Sequence, residues 1–518
     1  MSGSVQFLFD RYGPAYRWIA TVTVMTGAIA VVLSSTIVNV AVPDVMGTFG
    51  VGLDQAQWLA TAFLAAMTIS QLLSAWLLDM FGARVTLVAT LSLFSSGALL
   101  GAFAPNMEVL ALARTLQGIA AGTVMPVAMV VIALVFPPDR KGTAMGILSM
   151  GIVLAPSIGP VVGGIAIDTY SWRYIFFIPL PMCVVALVLS ALFMPRRDPT
   201  IPYRRFDFIG LSLLATAVTC LLIGLAGGQR FGWGSNYILT LLASGGVASA
   251  LFVYSQLRSP APLLDFNVLK NQRFAFAVII AFVFGAGLFA TTYYIPVFVQ
   301  TVMNYTATNA GLLLAPGGII LMIIFPLAGR LADSVPEHYL IAGGLIVLSY
   351  GFYLLADADV NTTFLSLVVM TLVGRIGLGF INPPLNAVAL RALPSTHLAR
   401  GSSTINFFRQ LGGAFGVSAL VIAVELRTQM HSAAFTDTQT ADNATSQALL
   451  SELAMLLREA GIPDTLQFPS ALSYLGRVIQ AQATSLAFQD AALLIAATFA
   501  ITVIPACLLG LRPRAVHL

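Results

Sequence analysis

Apolar residues in this chain come in long runs, without the alternation of a half-buried strand or the narrow stripe of a soluble helix. A helix needs about 20 apolar residues to cross the hydrocarbon of a bilayer. Runs of that length predict fourteen spanning helices, at 18–43, 56–78, 85–104, 109–136, 143–167, 173–194, 207–228, 236–257, 274–301, 308–331, 339–356, 363–392, 402–426 and 487–511. The breaks between them are short and polar, often marked by Pro or Gly. One break is long, at 427–486. There Leu449, Leu453, Leu456 and Leu457 form a helical stripe, and Gly461 and Pro463 interrupt it. Leu472, Leu475, Ile479 and Leu486 then predict a second helix. Such a hairpin could cap an exit, touch lipid or meet an adaptor protein.

Composition supports lipid as the solvent. Apolar residues make up 58% of the chain and charged ones 9%, against roughly 25% charged in soluble domains. The net charge of +4 is almost all arginine, scattered over short loops, and gives no nucleic-acid footprint. Cys183, Cys220 and Cys507 lie in apolar runs and are expected to be packing residues. Met1–Arg17 is polar, and the run after it is too long for a signal peptide's apolar segment, so span 1 is expected to remain as an anchor. With the N-terminus inside, 17 of the 25 basic residues fall on inner segments. That bias predicts both termini in the cytoplasm.

The chain also repeats itself at an offset of about 255 residues. VNVAVPDVM with Pro43 at the end of span 1 matches TYYIPVFVQ with Pro296 in span 9. AWLLD with Asp79 matches GRLAD with Asp333. Gly122, Pro126 and Pro137 match Gly379, Pro383 and Pro394. An even number of spans separates the copies, so the repeat is parallel, with spans 7 and 8 left between the halves. The expected organisation is a six-helix half at 1–197, two inserted helices and linkers at 198–272, and a second six-helix half at 273–518 carrying the outer loop. Two such halves around a central path suit alternating access.

Several motifs resemble the major facilitator superfamily, specifically its fourteen-spanner drug:proton antiporter group (the EmrB/QacA type). They are LSSTIVNVAVP (33–43), QWLATAFLA (57–65), LLDMFGAR (77–84), LALARTLQGIAAG (110–122), APSIGPVVGG (155–164), WRYIFFIPLP (172–181) and GSSTINFFRQLGGAFGV (401–417). The resemblance implies a bacterial inner-membrane exporter of lipophilic or amphipathic drug-like molecules, proton-driven and without cofactor. It also implies gating at Asp79, Gly82 and Arg84 in loop 2–3, and at Gly159, Pro160, Gly163 and Gly164 in span 5. The expected neighbour of Asp79 is the positive N-terminal end of span 13, near Gly401 and Ser402. The repeat gives Gly329 and Asp333 a matching but weaker role. That group has more cations in loop 2–3, where Met80 and Ala83 stand here, and an aspartate where this chain has Ser34.

Arg114, Arg375 and Arg409 lie at membrane depth, where charge is expensive and marks function by default. Arg114 is expected beside Ser34 and Gln117 as a coupling or pathway group. Without the carboxylate it would be a fixed cation, favouring anionic, zwitterionic or neutral lipophiles over cationic dyes. A purely structural role, donating to backbone carbonyls of a bent helix, is the alternative. Candidate cavity groups are Asn39, Gln57, Trp58, Gln71, Tyr293, Tyr294, Gln300, Asn382, Asn386 and Asn406; each could equally join helices. The four histidines show no metal-ligand spacing, and no phosphate-binding loop occurs, so no metal and no ATP drive are expected. A dedicated exporter or flippase for a lipid, fatty acid, siderophore or other metabolite, with atypical coupling, is the second transport reading. An enzyme is not expected.

Overall fold

The computed structural model describes residues 3–51, 53–56, 58–197, 205–303, 305, 307–394, 397–440 and 442–510. Among them the regular structure is all helix. Twelve helices are long and apolar enough to cross a membrane. One of these, Trp58–Ala102, is two crossings: Gly82 leaves helical geometry (φ 75°, ψ 170°), and Thr86 Oγ1 donates back to Leu77 O at 3.1 Å. Lys141–Thr169, 29 residues long, adds the fifth crossing. The protein is thus a multi-pass membrane protein whose spans follow the apolar runs.

Span 1 is Tyr16–Ile37, spans 2 and 3 are the arms of Trp58–Ala102, span 4 is Met107–Val135 and span 5 Lys141–Thr169. Span 6 is Leu180–Phe193, extended by the 3-10 turn Trp172–Phe176. Spans 7 to 12 are Phe208–Phe231, Asn236–Arg258, Gln272–Thr301, Ala307–Ser334, Glu337–Leu355 and Phe364–Arg391; spans 13 and 14 are Leu398–Asp437 and Asp464–Leu508. Many begin at a polar cap whose side chain accepts an orphan amide, such as Asn106 from Val109 N (2.9 Å) and Asp207 from Gly210 N (2.8 Å). Prolines fall inside spans 4, 9, 10, 12 and 14, as membrane-spanning helices tolerate where the freed backbone groups find other partners.

Three boundaries differ from the sequence expectation. The segment before span 1 is a helix, Gly3–Tyr12, tied to loop 6–7 by Ser4 Oγ donating to Arg196 O at 3.1 Å. Span 13 continues past residue 426 to Asp437, and span 14 begins at Asp464. The long loop is therefore mostly these two spans carried outward, plus the helix Ala444–Glu459. Gly461, at φ 78°, makes the expected break.

Packing repeats with the sequence. Span 1 packs on spans 4, 5 and 6, and span 9 on spans 12, 13 and 14. Between the halves, span 5 meets spans 10 and 12, and span 13 meets spans 2 and 4. Spans 7 and 8 pack on each other, and Leu214, Val218 and Phe252 cover the seam where Leu72 of span 2 meets Phe407 of span 13. Asp265 in the following linker ion-pairs with Arg400 at the start of span 13.

Candidate functional site

Two helix N-termini face the seam at the end of the bundle that carries loops 2–3, 4–5 and 10–11. At the start of span 5, Asp333 accepts from Gly142 N (2.7 Å), Thr143 N (2.8 Å) and Thr143 Oγ1 (2.6 Å). A carboxylate here meets the positive end of the helix dipole and satisfies amides with no helical partner. Arg391 Nη2 donates to the same carboxylate at 2.6 Å, Arg391 Nη1 to Glu337 Oε1 at 2.5 Å, and Arg391 Nε reaches Pro138 O in the first half at 3.3 Å. The backbones are in contact beside this lock: a Cβ on Gly142 would lie 2.5 Å from Gly329 O. Asp333 and Gly329 therefore join the halves directly.

Asp333 makes with the start of span 5 the kind of contact expected of Asp79 with the start of span 13. Around Asp79 the described geometry is that of loop 6–7: Arg197 Nε donates to Asp79 O at 3.1 Å, and Arg84 N donates to Pro195 O at 3.2 Å. Gly82 needs its lack of a side chain twice over, for its positive φ and because a Cβ would meet Arg197 N at 2.5 Å. Arg391, Glu337, Gly142 and Thr143 were not singled out from sequence, although the signal was present. The repeat pairs span 13 with span 5, so a carboxylate facing one has a twin facing the other.

Above the lock lies a polar cluster. Arg409 Nη1 donates to Asn382 Oδ1 and Asn386 Oδ1, each at 3.4 Å, and Nη2 donates to Asn406 Oδ1. Asn382 Nδ2 reaches Ser149 Oγ at 3.5 Å, and Asn406 Nδ2 reaches Met129 Sδ at 2.9 Å, both in the first half. Ser402 Oγ donates to Pro126 O at 2.9 Å. Three of the candidate cavity asparagines thus converge on one candidate arginine. Ser149 and Met129 could not be found from sequence, having neither charge nor pattern.

Arg114 is enclosed, only 1% exposed. Its Nε donates to Leu59 O (2.9 Å), its Nη1 to Gln117 Oε1 (2.8 Å), and its guanidinium lies 4.2 Å from the centre of the Phe63 ring. Gln117 Nε2 in turn reaches Ser34 Oγ at 3.5 Å. The three coupling candidates form one chain, but Arg114 is locked between spans 2 and 4. Arg375 borders a cavity of about 10 Å³ with Thr371, Thr291, Leu348 and Phe352. Arg375 Nε and Thr371 Oγ1 have no hydrogen-bond partner. Among the described residues none of the three membrane-depth arginines pairs with a carboxylate.

The remaining candidates separate. Gly159 and Gly163 face Thr36 and Ile37 of span 1, inside one half, and Gly164 faces open space. Tyr294 is buried and donates to Phe488 O at 3.0 Å, joining spans 9 and 14, whereas Tyr293 is exposed. Gln300 turns back to Pro296 O, and Trp58 is exposed. Gln71 is buried with its Oε1 unpaired. Gln57 and the side chains of Asn39 and Pro160 lie outside the described residues.

Two repeated six-helix halves meeting along a seam of helix ends and polar side chains define a multi-pass transporter fold. The chain belongs to the Major Facilitator Superfamily, whose family profile matches residues 24–417. It is 32% identical over 411 residues to the uncharacterized MFS-type transporter YcnB of Bacillus subtilis, covering 79% of this chain and 86% of that protein. It is 31% identical to the multidrug export protein EmrB of Haemophilus influenzae, covering 87% of each. Among solved structures, the human organic anion transporter MFSD10 (TETRAN) superposes with a TM-score of 0.60 at 12% identity, covering 93% of this chain and 99% of that one. The proton:xylose symporter XylE superposes at 0.58 and 15% identity, covering 94% and 95%. At those identities the structures share the fold.

Proposed function

We propose that the protein exports lipophilic or amphipathic small molecules from the cytoplasm by alternating access, driven by an ion gradient, and that the arrangement described is its outward-facing state. One observation carries this reading. The side-chain hydrogen bonds described between the halves lie on the side of loops 4–5, 10–11 and 12–13. The arginine bias supports a cytoplasmic position for that side, with both termini in the cytoplasm of a bacterium and the bundle in its inner membrane. Segments 1–197 and 273–518 would rock against each other with 198–272 as a clip across the span 2–span 13 seam. The loop 2–3 residues Asp79, Gly82 and Arg84 and the lock at Asp333 would form the inner gate. The relatives named for multidrug export support drug-like cargo.

The second reading, a dedicated lipid or metabolite exporter with atypical coupling, is favoured by the three membrane-depth arginines that pair with no described carboxylate. An adaptor protein is a fitting partner for the outer hairpin, where Met455 and, on the outward extension of span 14, Leu466, Phe468 and Leu472 are exposed. Everted vesicles with an imposed pH gradient test the main reading. Gradient-dependent accumulation of drug-like probes is expected. Movement of labelled lipid alone would select the second reading, and no gradient-dependent movement of either would sink both.

A further inference from the structure

Arg409 is a half-buried cation held by neutral acceptors. Three asparagine oxygens surround its amino groups, and no carboxylate pairs with it among the described residues. Neutral oxygens bond the guanidinium but leave its net charge uncompensated, so it remains a site in want of an anion. The nitrogen ends of the same asparagines point the other way. Asn382 Nδ2 is held by Ser149 and Asn406 Nδ2 by Met129, both on the first half, while Asn406 Nδ2 also reaches Ser402 O at 2.8 Å. Asn386 Nδ2 donates within the cluster to Asn382 Oδ1 at 3.2 Å. The cage is therefore complete only while the halves touch at this level. When they part, Ser149 and Met129 leave with the first half. Two amide donors then open onto the path beside a partly exposed guanidinium.

We propose that Arg409, Asn382 and Asn406 form a conformation-gated site for the oxyanion of an amphipathic cargo, a carboxylate, sulfonate or phosphate. This rests on the export reading above. With the inner face open, the planar guanidinium takes two oxygens of the anion and the freed amides supply further donors. As the halves close, Ser149 and Met129 draw the amide nitrogens back and the amide oxygens return to Arg409. The anion loses its donors on the outward-facing side, and this differential affinity gives the site a direction.

The test uses the full-length protein, with fluorescein as an aromatic anion and ethidium as an aromatic cation. Binding is read by fluorescence anisotropy on purified protein, and uptake in everted vesicles. Arg409→Gln should weaken fluorescein binding by about tenfold or more, the loss expected when one charge-assisted contact is removed. Asn406→Asp places a tethered carboxylate on Arg409, keeps the site filled, and should lower the fluorescein-to-ethidium uptake ratio by a similar factor. Arg409→Lys retains the charge and should retain the anion preference, which separates loss of the site from loss of the fold. Unchanged fluorescein binding in Arg409→Gln and Asn406→Asp would overturn the site. So would failure of the unmodified protein to bind fluorescein while it still exports ethidium, and export would then stand without it. Fluorescein binding that these variants abolish, in a protein that moves no probe, would uphold the site and overturn export.

Discussion

Arg114 and Arg409 show how little a residue's depth in the membrane says about its work. Both were conspicuous in sequence as charges inside apolar runs, but their surroundings divide them. Arg114 is spent on Leu59 O, Gln117 and the Phe63 face, so the structural alternative describes it in this state. Arg114→Ala would leave a buried carbonyl and a buried amide unpaired, each costing about 1–3 kcal/mol. It should lower thermal stability and weaken all cargo alike; selective loss of anionic cargo would contradict this. Ser34→Asp would place a carboxylate at the end of the Gln117–Arg114 chain. Flux measured across a pH series should then become steeper in pH and shift towards cationic probes. Thr371 makes a milder case, because its hydroxyl lies unpaired at a cavity of about 10 Å³. Thr371→Val removes an unsatisfied group at constant shape, so melting temperature should hold or rise by the equivalent of up to about 1 kcal/mol. A clear fall would mean that the hydroxyl is satisfied by solvent in the cavity.

At the scale of elements, helix ends carry most of the specificity. Asp333 caps span 5, and Arg391 ties that cap to Glu337 and to loop 4–5. Asp333→Asn keeps the shape but removes charge from bonds worth about 1.5–3 kcal/mol. Labelling of a cysteine at Ser402 from the cytoplasmic side should rise about tenfold or more as the inner gate opens. Unchanged labelling would show that the glycine contact alone holds the seam. The Asp265–Arg400 pair is a second tie, with a sign set by pH. Burial alone would raise the Asp265 carboxyl, but the Asn267 N–H and the Arg400 guanidinium outweigh it and hold the group below its ordinary 3.8. A depressed carboxyl stabilises the fold above its unfolded value, and the benefit is lost as pH falls through the folded one. Asp265→Asn should therefore melt earlier than the parent at neutral pH, and the gap should close below about pH 4. The spans themselves were legible because hydrocarbon thickness sets their length. Helix ends outside it were not, since nothing in the bilayer argument stops span 13 at residue 426 or starts span 14 at 487.

The whole molecule follows its repeat, and the repeat was visible in a few glycines, prolines and aspartates. It could not show the neighbours in space by which Asp79 and Asp333 differ. Loop 2–3 sits against the chain leading into the inserted spans, whereas loop 10–11 sits against span 5. The outer hairpin is a separate addition to this plan. Its tip packs on itself, Leu450 against Ala471 and Leu475 with Leu449, Leu453, Leu457 and Ile479 around them. Its base is pinned without the tip, by Asp490 of span 14 to His431 (2.8 Å) and to Arg427 (3.5 Å) of span 13. Replacing 438–483, which removes the tip together with Phe468 and Leu472, by a short flexible Gly/Ser turn should therefore leave the bundle folded and its seam intact. Gradient-driven flux in everted vesicles should persist, because the inner gate, the Arg409 cage and the seam all lie outside the tip. Resistance of whole cells should fall if a partner takes cargo onward from the exposed Phe468 and Leu472 face. Loss of vesicle flux with unchanged melting temperature would instead place the tip within the transport cycle, as a cap over the outer mouth. Unchanged resistance together with unchanged flux would remove the adaptor from the account and leave the hairpin as an ornament of the outer surface.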